Sequence, residues 1–107
     1  MVESAGKSPS IRIRNGSLYL DLELYQTYFK GLESVILLRQ NGKILILPVM
    51  HPGGGGTLIK IRNARGDRVI HAQEFFRDHG FDEFVDQVLS ARWNAGMAAL
   101  EIEIPSK

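Results

Sequence analysis

The chain has no cysteine. That excludes a disulfide scaffold, thiolate-ligated zinc, iron–sulfur ligation and thiol chemistry, and it fits the cytoplasm, the location expected. No apolar stretch approaches the roughly 20 residues of a membrane span. Met1-Val2-Glu3-Ser4 is followed by small polar residues rather than an apolar run, so no signal peptide is expected. Neither sign of charge dominates: 13 Lys and Arg oppose 12 Asp and Glu, for a net charge of +1. Such a balance creates no global field for nucleic acid or membrane, so any anion site must come from local clustering. No Gly-x-Ser-x-Gly or other nucleophile motif is present. No catalytic residue, cofactor or metal is expected, and the chain reads as a non-enzyme.

What is present is globular. At 107 residues, 44% hydrophobic and 23% charged, the chain is long enough for one domain with a real core. A pentapeptide comes twice: Ile11-Arg12-Ile13-Arg14-Asn15 returns as Ile59-Lys60-Ile61-Arg62-Asn63. Each copy is followed by a short apolar strand, a candidate helix ending at Gly31 or Gly80, and an alternating strand before Pro48 or Pro105. An internal repeat is sought before any other pattern. This one predicts a flexible tail over 1–10 and a single domain over 11–107. The domain would consist of two half-repeats, 11–48 and 59–105, joined by a Gly-rich loop at 51–56.

Ile-Arg-Ile-Arg at 11–14 alternates like a strand with one wet face, and Asn15-Gly16 predicts a hairpin into Leu18-Tyr19-Leu20. From Ser17 two readings compete. Alternation of Leu18, Leu20, Leu22 and Leu24 would extend the strand to Tyr25. Asp21 as N-cap, with Leu24, Tyr25, Tyr28 and Phe29 on one stripe, favours a strand to Leu20 and a helix over 22–30. Gly31 and Gly80 are then C′ residues with positive φ. Ser34–Arg39 and Lys43–Leu47 form a hairpin around Gln40-Asn41-Gly42. Leu58–Arg62 is a strand, Ala64-Arg65-Gly66-Asp67 a turn, Arg68–His71 a strand and 73–79 a helix. Over 81–93, Phe81, Phe84, Val85, Val88 and Leu89 repeat at helical spacing, predicting a helix from Asp82 to about Leu89. The alternative pairs Val88–Trp93 with Ala99–Ile104 across Asn94-Ala95-Gly96; a helical start followed by this hairpin is expected.

Arg68-Val69-Ile70-His71-Ala72-Gln73-Glu74-Phe75-Phe76-Arg77-Asp78-His79-Gly80-Phe81 resembles the pattern of the swapped-hairpin family of AbrB and MraZ transcription factors: Arg, apolar strand residues, a Pro at the helix start, Glu-Leu, a basic residue, and Gly-Ile at the helix end. Leu20-Asp21 through Gly31-Leu32, and Lys43 through Pro48, are similar. The helix-start proline of that pattern is replaced by Asp21 and Ala72. The resemblance implies an α+β, β-rich fold in which two related strand–strand–helix–hairpin halves form one compact swapped-hairpin-like barrel. It also implies a DNA-binding transcriptional regulator.

The basic residues fit that expectation. Arg12 and Arg14 share one strand face, Lys60 and Arg62 another, and Arg65 and Arg68 follow. These residues are the candidates for double-stranded DNA; against them stands a merely solvated strand face that guards a sheet edge. The alternative function is a non-catalytic interaction or assembly protein, with an unidentified protein partner or self-association, on the same barrel. A small-molecule site is the lesser option. His51-Pro52-Gly53-Gly54-Gly55-Gly56 lacks the Lys-Ser/Thr of a phosphate loop and reads as a connector. His51, His71 and His79 have no established ligand spacing and read as structural or solvated. Asp82, Glu83 and Asp86 read as helix-capping acids, and Trp93 as a core residue.

Overall fold

The computed structural model describes residues 9–50 and 56–104. Among the described residues, nine strands and two helices run in the order β1 Ser10–Arg14, β2 Ser17–Leu20, α1 Leu22–Tyr28, β3 Ser34–Gln40, β4 Lys43–Pro48, β5 Thr57–Leu58, β6 Lys60–Ile61, β7 Arg68–His71, α2 Gln73–Asp78, β8 Asp86–Asn94 and β9 Ala99–Glu103. In β1 the period of two puts Ile11 and Ile13 wholly inside and leaves Arg12 and Arg14 outside. The chain reverses at Asn15 (φ 50°) and Gly16 (φ 75°). Both central residues of the tight hairpin turn need positive φ, which Asn-Gly accepts most readily.

The fork after Ser17 resolves as strand to Leu20, then helix. Asp21 caps α1 by accepting the Leu24 amide at 2.8 Å. Leu24, Tyr25 and Phe29 are thereby buried with Leu18, Leu20, Ile70 and Phe76. At the end of α2 the Phe81 amide reaches the Phe76 carbonyl at 2.9 Å, and the Gly80 amide the Arg77 carbonyl at 3.3 Å. This is the Schellman arrangement, with Gly80 at C′ and φ 75°. Gly31 also has positive φ, 79°, but stands one place beyond the C′ expected for it, because Phe29 is already the cap residue.

All strand pairs are antiparallel, in the order β5-β3-β4-β9-β8-β1-β2-β7-β6. The sheet curls into a nearly closed barrel. The strand expected from Leu58 to Arg62 is divided at Ile59 for that reason: β5 completes one edge of the order on β3, and β6 the other on β7. The hairpins reach across. β1 is bordered by β8, and β3 by β5.

The helix expected from Asp82 does not form. Residues 83–84 make a turn, and β8 runs extended from Asp86, paired with β1 from Arg14↔Asp86 to Ser10↔Ser90. The ladder with β1 satisfies the backbone of both strands, and it overrides a local periodicity that a short helix could not have maintained alone. Phe84 and Val88, two of the residues that repeat at helical spacing, are 79% and 65% exposed. The three acids therefore cap no helix. Asp82 accepts the Phe84 amide, Glu83 faces Arg77, and Asp86 faces Arg12 and Arg14. The same ladder begins at Ser10, the last residue assigned to the tail. Trp93 is partly buried and stacks on Tyr28 at 5.1 Å, packed against the core. Of the connector 51–56, only Gly56 lies within the described residues.

Candidate nucleic-acid interface

The outer face of β8-β1-β2-β7-β6 follows from the strand registers. Residues opposite one another in antiparallel strands share a face. One cross-strand row reads Asp86, Arg14, Ser17, His71; the next reads Val88, Arg12, Tyr19, Val69, Lys60. Two basic strands, β1 and β6, thus flank the central pair β2–β7 on one surface. Arg62 extends the patch, its guanidinium lying 4.8 Å from the centre of the Tyr19 ring. Arg12, Tyr19, Arg62 and Val88 line one shallow cleft with Asp21 and Asp67.

The six basic candidates separate into three environments. Arg12, Arg14, Lys60 and Arg62 belong to this outer surface. Arg65 is beside it on the loop after β6, 76% exposed but joined to Asp67 at 2.8 Å. Arg68 is on the opposite face of β7, in register with the buried Leu20, and its guanidinium lies 3.9 Å from the Tyr25 ring centre. Period two separates it from the rest, since Val69 takes the outer position.

Asp67 organises the β6–β7 loop. It accepts from Arg65, from Asn63 at 3.1 Å and from the Leu22 amide at 2.9 Å, and its side chain is nearly buried. The Arg65 bond above all, then that from Asn63, draws the carboxyl down to about 2. The same pairing holds the Arg65 guanidinium above its ordinary value. On the far side of the barrel, Arg92 and Asn94, with Lys43 beyond, keep the Glu101 carboxyl below its usual range.

Sequence reasoning left out four members of the surface: Tyr19, Ser17, Asp86 as an arginine partner, and His71 as part of a network. Tyr19 had a signal, being the one non-aliphatic position in Leu18-Tyr19-Leu20. Asp86 had none, because its place opposite Arg14 requires the β1–β8 register. Among the described residues no group of three or more His, Asp or Glu side chains converges as a metal site, and no helix is long and apolar enough to cross a membrane. No family model, curated protein or solved structure matches this chain.

Proposed function

We propose that the chain is a DNA-binding transcriptional regulator of the AbrB/MraZ type, made of two related halves that exchange hairpins. The observation that carries the reading is the placement of Arg12 and Arg14 on β1, with Lys60 on β6 and Arg62 just after it, around β2–β7 on one outer face. Three interstrand steps separate β1 from β6, about 14 Å. The major groove of duplex DNA is about 12 Å wide and admits a two-stranded ribbon. The flanking cations would rest on phosphates along its two sides, which positions the protein without reading sequence.

The pairing pattern supports the relation between halves. Exchanging β1, β2, β3 and β4 with the β5–β6 segment, β7, β8 and β9 turns the set of strand pairs into itself. Each hairpin then borders the first strand of the other half. The repeat of Ile-Arg-Ile-Arg-Asn as Ile-Lys-Ile-Arg-Asn includes most of β1 in its first copy and β6, Lys60–Ile61, in its second, the strands that this exchange brings into correspondence.

A second reading has its own observation. On the outside of the β3 region, Ile36 and Leu38 are each 40% exposed and Leu58 is 58% exposed. That surface suits a protein partner, and the barrel would then serve assembly. Titration of the wild type with duplex DNA at low and at moderate salt separates the two. A regulator binds and weakens steeply with salt as counterions are released; an assembly protein ignores DNA and retains a protein partner instead.

A further inference from the structure

At the Asn15-Gly16 end of the basic face, three side chains form a directed chain of hydrogen bonds. Gln73 Nε2 donates to the Asn15 carbonyl at 3.0 Å and to Ser17 Oγ at 3.1 Å. The Asn15 carbonyl only accepts, so it fixes the Gln73 amide with its nitrogen toward the turn. Ser17 is 3% exposed, and its hydroxyl must place its proton on an acceptor. The acceptor within its reach is His71 Nδ1, 3.0 Å away. The ring nitrogen that accepts carries no proton. In the neutral imidazole the proton therefore sits on Nε2, on the far side of the ring from Ser17.

From this network we infer that His71 is a specificity-determining residue, its tautomer fixed by Gln73 and Ser17 so that Nε2–H donates to an acceptor on the major-groove edge of a base pair. The inference rests on the DNA reading above. His71 is exposed and shares a cross-strand row with Arg14. It stands at the turn end of β7, one row from Lys60, which is opposite Val69; phosphate contacts by Arg14 in its own row and Lys60 in the next would bring a groove floor to it. Purine N7, guanine O6 and thymine O4 are acceptors there. The half-buried Tyr19, one row away, carries a hydroxyl that can both donate and accept, so the row order places two polar groups along the groove. Ser17 positions His71 and, buried beneath it, touches no ligand.

Two measurements test this. In long-range ¹H–¹⁵N spectra at alkaline pH, His71 should show an unprotonated Nδ1 and a protonated Nε2, and Ser17→Ala should lose that bias; the opposite tautomer in the wild type overturns the inference. Selection from a random-sequence duplex library should then give a consensus that His71→Ala relaxes at one or two base pairs, by roughly tenfold each. The salt slope should stay unchanged, and His71→Gln, which keeps a donor, should restore part of the preference. An unchanged consensus with His71→Ala overturns this inference and leaves the regulator reading standing. A wild type that retains no duplex at low salt overturns both.

Discussion

Arg12 and Asp86 form a paired contact across β1 and β8, with Nη2 and Nε of the guanidinium 3.1 and 3.2 Å from the same carboxylate oxygen. Arg14 Nε approaches the other oxygen at 4.0 Å. One carboxylate thus occupies the basic residues of β1, where a phosphate would have to bind. All three side chains are about half exposed, so the contact itself contributes at most about 1 kcal/mol to the fold. Its effect should appear in binding. Asp86→Asn is expected to raise affinity for duplex DNA by up to about fivefold at low salt and to leave the melting temperature nearly unchanged. Binding weaker than that of the wild type would show that Asp86 orients the arginines rather than competing for them.

Arg68 should behave differently from its neighbours in sequence. Its guanidinium is over Tyr25 on the core side of β7. Arg68→Ala should leave the salt dependence of DNA binding as it is and lower stability by about 1 kcal/mol through the lost cation–π contact. A reduced salt slope with unchanged stability would place Arg68 on the DNA after all.

Gly80 holds the C′ position of α2 with φ 75°, and an added Cβ would find only Arg39 Nη1, at 3.9 Å. The cost of Gly80→Ala is thus conformational rather than steric, and should be about 1 kcal/mol. Thermal melting reads it directly; an unchanged midpoint would remove the Schellman end from the list of what holds this helix.

Asp67 couples the β6–β7 loop to the first turn of α1. Its folded value, about 2, lies below the ordinary carboxylate range. The sign follows: the stabilisation is present above the unfolded value near 4 and is lost as pH falls toward 2. Urea denaturation between pH 5 and pH 2 should show the wild type losing stability faster than Asp67→Asn. The variant itself should be less stable at pH 7, since Arg65, Asn63 and the Leu22 amide all lose an anionic acceptor. Parallel curves would indicate that the carboxylate is not what ties the loop down.

Much of the fold was legible because local rules and tertiary needs agreed. Asn15-Gly16 and Asn41-Gly42 made their hairpins, Asp21 capped the helix that competed with an extended strand, and Gly80 ended its own. Where they conflicted, the sheet decided. Phe84 and Val88 stood at helical spacing, but β1 needed a partner along Ser10–Arg14, and residues 86–90 supplied it. Ile59 interrupts a strand because its two sides serve opposite edges of the sheet. The site was legible in part for the same reason. Period two placed Arg12 with Arg14 and Lys60 with Arg62, and only cross-strand register could bring the two pairs around β2–β7. Arg68 entered the list by proximity in sequence, although that same period assigns it to the inner face. The Ser17–His71 contact joins residues 54 apart, and Gln73 reaches Ser17 from the helix after β7. Neither contact has a local signature.

The central claim is that β1 and β6 grip duplex DNA together. Its most direct test is the slope of log affinity against log salt for the wild type, for Arg12→Ala/Arg14→Ala and for Lys60→Ala/Arg62→Ala. Each double variant should fold as the wild type does and lose up to about 1.8 from the slope, roughly 0.9 for each phosphate contact removed. Arg12→Ala/Arg14→Ala should lose less, because Asp86 already compensates those arginines. Absence of wild-type binding at low salt, or a slope that neither double variant changes, would contradict the claim and favour the assembly reading.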